Sequence, residues 1–96
     1  METEQKRTQE GKKKLLAALE MSLGIVTEAC EKADITRSRH YAWLQSDEDY
    51  KKSVDEIDSK FIDFAETSLK KQIKEGNTTA TTFFLRTRGR KRGYNE

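Results

Sequence analysis

Residues 24–44, GIVTEACEKADITRSRHYAWL, decide the fold of this chain, because they predict two short helices joined by a sharp turn. In the first half of this stretch, the small and apolar residues recur at spacings of three and four, which places them on one helix face. Asp34 and Ile35 interrupt that face, and Thr36 is positioned to cap a second helix. Two short helices separated by a turn of about four residues are typical of a helix-turn-helix.

The second of these helices is predicted to have a buried face and a basic outer face. Its spacing buries His40, Trp43 and Leu44 against the preceding helix. The residues predicted to point outward are Arg37, Ser38, Arg39, Tyr41 and Ala42. Arginine binds phosphate or donates two hydrogen bonds to guanine, and the hydroxyls donate to phosphates or base edges. The pattern therefore predicts a face that binds double-stranded DNA, with a protein-interaction module whose arginines are merely solvated as the alternative.

Composition narrows the class of protein further. Only 33% of the 96 residues are hydrophobic and 38% are charged, so a monomeric core would be thin. A long apolar run is absent and residues 1–14 are polar, which predicts no membrane span, no signal peptide and a cytoplasmic location. The single cysteine, Cys30, lies on an apolar helix face and is interpreted as a small buried hydrophobe.

Charge is distributed unevenly along the chain. Residues 47–66 carry eight acidic and three basic residues, although the whole chain has a net charge of +2. Clustered basic residues elsewhere are therefore candidates for phosphate contacts: Lys12, Lys13, Lys14, Arg86, Arg88, Arg90, Lys91 and Arg92. For the lysine triplet, a solvated surface is an equally good interpretation. The C-terminal run can instead dock on an acidic partner protein or remain a solvated tail.

The absence of proline and of sustained strand-like alternation predicts an all-α fold. Residues 1–10 are polar and predict a flexible N-terminal arm. Residues 11–46 predict a three-helix, helix-turn-helix DNA-binding head whose first helix covers 12–21. Ser46 is predicted to cap the next, long helix.

Residues 47–88 predict an antiparallel helical hairpin, in which the long helix ends at Gly76 and a short helix covers 79–86. The glycine-flanked basic tail, 89–96, is predicted to be mobile. The long helix carries an apolar stripe: Tyr50, Val54, Ile57, Phe61, Ala65 (or Phe64), Leu69 and Ile73. Because a small head cannot cover this stripe fully, we expect it to be buried in a homo-oligomer. The alternative is that the helix packs against its own head.

The sequence offers no catalytic or metal site. His40 is the only histidine and shares a face with Trp43 and Leu44, where a histidine is usually structural. Cys30 has no histidine partner nearby, and no cysteine or histidine pair has the spacing of a zinc site. The acidic residues of 47–66 are distributed around a helix. We therefore predict a protein that is not an enzyme, with no cofactor and no metal.

Two separated segments resemble the small subunit of phage terminases. Residues 24–50, GIVTEACEKADITRSRHYAWLQSDEDY, resemble its N-terminal helix-turn-helix, with a small-residue segment, a Thr-Arg pair and a Tyr-x-Trp. Residues 73–96, IKEGNTTATTFFLRTRGRKRGYNE, resemble its glycine-asparagine turn, Phe-Leu-Arg-Thr-Arg run and closing Arg-Gly-Tyr. One departure is Asp34, which stands where such motifs usually carry glycine.

The resemblance implies a helix-turn-helix head joined to oligomerising helices. It also implies a function: recognition of viral DNA for packaging, with a ring of protomers presenting the DNA to a large ATPase–nuclease subunit. The alternatives are a small dimeric helix-turn-helix regulator or transposon-associated protein, and a helical adaptor whose basic tail binds a protein.

Overall fold

Helices account for nearly all of residues 3–94, which are the residues that the computed structural model describes. They are α1 (Glu4–Met21), α2 (Val26–Ala33), α3 (Arg37–Ser46), α4 (Glu48–Lys74) and α5 (Thr78–Arg88), followed by a 3₁₀ turn, Arg90–Arg92. No strand occurs within this described range, so the all-α prediction is confirmed. None of these helices has the length and apolar content needed to cross a membrane.

Helix α1 begins eight residues before the predicted start at Lys12. The Thr3 hydroxyl accepts a hydrogen bond from the Lys6 N–H at 3.1 Å, and Glu4 complements the positive end of the helix dipole. Residues 4–10 are therefore helical where their polar composition predicts an arm, and residues 1–2 lie outside the described residues. The apolar pattern missed these turns because a solvated helix needs no apolar stripe.

The chain divides into two units, one ending at Phe61 and the other beginning at Ile62. The first unit has one hydrophobic core, to which four helices contribute. Its buried members are Leu15, Ala18, Leu19, Ala29, Cys30, Ala33, Trp43, Tyr50, Val54 and Ile57. Most of the predicted inner faces of α1, α2 and α3 are buried, but Leu44 is only partly buried and Ile25, which precedes α2, is 50% exposed.

The first half of α4 belongs to this core and not to an exposed stripe. Tyr50, Val54 and Ile57 are buried by their own chain, and Phe61 packs against the same core. Side chains that are already covered offer no surface to a second copy, which corrects the prediction that these residues form an oligomer interface. For this half of the helix, the alternative of packing against its own head describes the structure.

The turn between α2 and α3 has the predicted form. Asp34 adopts the left-handed conformation, with φ 55° and ψ 46°, which aspartate tolerates better than most residues. The Ile35 N–H donates to the Cys30 carbonyl at 3.1 Å and closes the end of α2. The Thr36 hydroxyl then accepts from the Arg39 N–H at 3.3 Å, which confirms Thr36 as the cap of α3.

The start of α4 differs from the prediction, because Asp47 is its cap. Asp47 Oδ1 accepts from the N–H groups of Asp49 and Tyr50 at 3.0 and 3.1 Å. Ser46 is the last residue of α3, and its hydroxyl donates to the Ala42 carbonyl. A single residue, Asp47, therefore connects the two helices.

The second unit contains a helical hairpin, which is formed by the part of α4 after Phe61 and by α5, whereas the predicted hairpin began at residue 47. Gly76 has φ +90° after the end of α4, and Asn77 Oδ1 caps α5 by accepting from the Ala80 N–H at 2.9 Å. Across the hairpin, Arg88 Nη2 of α5 pairs with Glu66 Oε1 of α4 at 2.8 Å. The glycine and asparagine of the turn therefore act as the sequence predicts.

The hairpin covers its apolar residues incompletely. Ala80 is buried, while Leu69, Ile73 and Phe84 are partly buried. Three large side chains remain mostly exposed: Ile62 at 59%, Phe64 at 69% and Phe83 at 56%. Ala65, the alternative to Phe64 in the predicted stripe, is also exposed.

The basic tail folds back on itself up to residue 94. The Arg92 N–H donates to the Gly89 carbonyl at 2.9 Å, and the Tyr94 N–H donates to the same carbonyl at 3.3 Å. A Cβ on Gly89 would lie 2.6 Å from the Leu85 carbonyl oxygen, so this bend requires glycine. The tail was predicted to be mobile; in the structure it forms a hydrogen-bonded turn, and residues 95–96 lie outside the described residues.

Candidate nucleic-acid interface

The outer face of α3 is open to solvent along its first two turns. All five side chains that the sequence predicts to face outward are exposed, namely Arg37, Ser38, Arg39, Tyr41 and Ala42. Thr36 fixes where this helix begins, so the two arginines lie in its first turn. A helix of this kind presents its N-terminal residues to base edges when it enters a major groove.

The opposite face of α3 is fixed by a buried hydrogen bond. His40 is 1% exposed, and its Nδ1 lies 2.7 Å from the Tyr50 hydroxyl oxygen of α4. Burial lowers the pKa of His40, against the opposing effect of the Asp58 carboxylate, and therefore favours the neutral imidazole. Burial also raises the pKa of the Tyr50 hydroxyl, which stays protonated, so the contact with Nδ1 is a hydrogen bond between two neutral groups. His40 thus anchors α3 to α4, in agreement with its structural interpretation.

Trp43 provides a second anchor and orients one of the candidate arginines. Its ring contacts the Tyr50 ring edge-to-face with centroids 5.5 Å apart. The Arg39 guanidinium lies 5.0 Å from the centre of the Trp43 ring, a distance typical of a cation–π interaction. On the side of α1, Gly11 lies close to the same ring, since a Cβ there would be 3.4 Å from it, an ordinary van der Waals contact.

A groove runs between the first half of α1 and the turn that precedes α3. Basic side chains line both of its walls, with Arg7 and Lys14 on α1 and Arg39 on α3. Two acidic residues, Glu4 and Asp34, line it as well. Arg7 was not among the predicted phosphate contacts because it fell within the predicted arm. The spacing of four and three residues between Arg7, Gly11 and Lys14 was the available signal, since it places all three on one face of a helix.

The three consecutive lysines of α1 have different surroundings in the structure. Lys12 Nζ pairs with Asp47 Oδ2 at 2.7 Å, and the Lys12 side chain is only 13% exposed. This contact, helped by the Tyr50 N–H, holds the pKa of Asp47 below its ordinary value. Lys13 and Lys14 are exposed. Of the three lysines predicted to bind phosphate, Lys12 therefore joins α1 to the start of α4, and it is not part of the interface proposed below.

The remaining predicted basic residues belong to the second unit. Arg86 and Arg88 lie in the last turn of α5, where Arg88 is engaged with Glu66. Arg90, Lys91 and Arg92 form the 3₁₀ turn and are exposed. This unit is the more basic one, because residues 62–96 contain eight basic and four acidic residues.

Within residues 3–94, no group of three or more histidine, cysteine and acidic residues is arranged to hold a metal ion. Cys30 is a free, buried thiol, as predicted. Burial raises its pKa, against the opposing effect of Arg37, which keeps it in the unreactive thiol form.

Comparisons of the chain with protein-family models, with curated proteins and with solved structures find no match. The resemblance to terminase small subunits therefore rests on the two sequence segments that carry it.

Proposed function

We propose that the protein binds double-stranded DNA through the outer face of α3 and has no enzymatic activity of its own. The observation that carries this proposal is the exposed, basic first turn of α3, whose opposite face is fixed by His40 and Trp43. A recognition helix held by a buried hydrogen bond and a packed ring loses little conformational freedom on binding, which favours affinity. Arg37, Ser38 and Ala42, on the outer face near the helix start, are the residues proposed to contact the bases in the groove.

Its biological role, by resemblance, is that of a phage or prophage terminase small subunit. In this role the protein recognises viral DNA in the host cytoplasm and presents it to a large ATPase–nuclease subunit. The resemblance to the family supports this through two segments in the expected order, the helix-turn-helix and the Phe-Leu-Arg-Thr-Arg run that ends in Arg-Gly-Tyr. A dimeric transcriptional regulator with the same head is the alternative.

The proposal includes self-association through the hairpin. The exposed apolar side chains of the second unit, Ile62, Phe64 and Phe83, are the residues that a second copy can cover. Leu69 and Ile73 contribute less of this surface because the hairpin already covers part of each. Full burial of an exposed phenylalanine or isoleucine side chain contributes about 1.5–3 kcal/mol, so covering these three residues offsets part of the cost of association. Many protomers in a ring support the terminase role, and a two-fold dimer supports the regulator.

The decisive experiment removes the two arginines of α3. Duplex DNA binding by the Arg37→Ala/Arg39→Ala variant is compared with binding by Lys51→Ala/Lys52→Ala, which removes the same charge from exposed positions of α4. We expect the α3 variant alone to weaken binding, by about 1–3 kcal/mol for each arginine that reads a base. Circular dichroism checks the fold, since Arg39 also contacts Trp43. Equal affinities of the two variants would refute DNA recognition by α3.

A further inference from the structure

Residues 4–14 of α1 form one wall of the groove beside the proposed recognition helix. Arg7, Gly11 and Lys14 follow one another on the same helix face, and the groove that they line also contains Arg39. A Cβ on Gly11 would lie 3.7 Å from the Ile35 side chain and 3.4 Å from Trp43, so this face is seated directly on the helix-turn-helix. The Arg7 and Lys14 side chains therefore lie on either side of Gly11, where α1 contacts the helix-turn-helix.

This groove has the properties of a site for a backbone phosphate. Arg7 and Lys14 are exposed, and their charges join that of Arg39 across the groove. Within residues 3–94, the ion pairs found do not involve any of the three, whereas Lys12, the neighbour of Gly11 in sequence, is paired with Asp47. Phosphate contacts carry no sequence information, but they set the position of a protein on the duplex.

We propose that Arg7 and Lys14 bind phosphates of the DNA strand that borders the groove occupied by α3. This inference rests on the proposed function and extends it by assigning a second DNA-contacting element, residues 4–14 of α1. Direct base contacts belong to α3, and α1 holds the duplex against it. The class of ligand is the sugar–phosphate backbone, so the contribution of α1 is the same for every sequence.

The acidic residues of the groove give the proposal a second consequence. Glu4 and Asp34 lie among the three basic residues and oppose a phosphate there. Replacing either carboxylate with an amide removes that opposition. Asp34→Asn is suited to this test because asparagine also adopts the left-handed conformation observed at this position. We expect Glu4→Gln and Asp34→Asn to bind DNA more tightly than the unmodified protein.

The test measures the salt dependence of binding to two unrelated duplexes by fluorescence anisotropy. Each lost phosphate contact lowers the slope of log affinity against log salt by about 0.9, so Arg7→Ala/Lys14→Ala is expected to lower it by about 1.8 on both duplexes. Between 50 and 200 mM salt, the affinity of this variant then changes about tenfold less than that of the unmodified protein. Lys51→Ala/Lys52→Ala is the control of equal charge.

Three outcomes separate this inference from the proposed function. A reduced slope in Arg7→Ala/Lys14→Ala, with tighter binding by Asp34→Asn, supports the phosphate contact. A slope equal to that of the control overturns the role of α1 but leaves recognition by α3 intact, provided the unmodified protein binds duplex DNA. Absence of any duplex binding by the unmodified, folded protein overturns both.

Discussion

Tyr50→Phe tests whether the buried hydrogen bond between α3 and α4 stabilises the first unit. The substitution keeps the ring, and therefore the contact with Trp43 at 5.5 Å, but removes the hydroxyl that lies 2.7 Å from His40 Nδ1. Because His40 is 1% exposed, water cannot replace the lost hydrogen-bond partner. Leaving one buried polar group without its partner costs about 1–3 kcal/mol. For a unit of this size, each kcal/mol lowers the melting temperature by about 4–8 °C.

The assay is thermal and urea-induced unfolding, followed by circular dichroism. Tyr41→Phe is the matched control, since Tyr41 lies on α3 next to His40 but is 51% exposed. Surface substitutions of this kind usually change stability by less than about 0.5 kcal/mol. If Tyr50→Phe is no more destabilising than Tyr41→Phe, the hydrogen bond does not hold α3 in place and the argument for a rigid recognition helix fails.

Two further predictions concern pH and assembly. The folded state lowers the pKa of His40, so the contribution of the neutral imidazole to the free energy of unfolding is fully present above pH about 6.5 and is lost as the pH falls through the pKa of the folded state. Urea unfolding at pH 7.5 and 5.5 should show this loss of stability. The His40→Asn variant lacks the only imidazole of the chain and should not show it. Phe64→Asp should dissociate the oligomer and leave the head folded, whereas Ile57→Asp should unfold the head, because Ile57 is in its core. Light scattering measures the first effect and circular dichroism the second. A monomeric unmodified protein at tens of micromolar would rule out self-association.

The helix-turn-helix could be predicted closely because its signals are local. The Thr36 cap, the interruption at Asp34 and the apolar face of α2 each depend on residues a few positions apart. The first turns of α1 could not be found in this way. Their side chains are polar and form no apolar stripe, and Thr3 caps the helix that they begin.

The long apolar stripe of α4 shows a different limit of prediction from local sequence. Its residues repeat at the same spacing throughout, yet Tyr50, Val54 and Ile57 are buried by the first unit, while Phe64 is largely exposed in the second. Periodicity indicates that one face of a helix is buried, but not whether the same chain or a second copy buries it. The division between the two units, after Phe61, depends on long-range packing that no local pattern records.

For the candidate interface, residue types were predicted more reliably than their partners. The exposed face of α3 follows from helical spacing, and all of its members are where the sequence places them. Arg7 was missed, and Lys12 was assigned to DNA although it pairs with Asp47. That ion pair joins residues far apart in sequence, so the number of lysines in a run cannot reveal which of them is engaged.

The one-residue connection between α3 and α4 has a consequence for insertions and deletions. An α-helix turns by about 100° for each residue, so one residue inserted after Asp47 rotates α4 by that angle relative to its cap. Tyr50, Val54 and Ile57 would then leave the core together. The turn at Gly76, by contrast, closes a hairpin with a sparse interior. Natural variation in chain length should therefore be tolerated at the tip of the hairpin and excluded at Asp47.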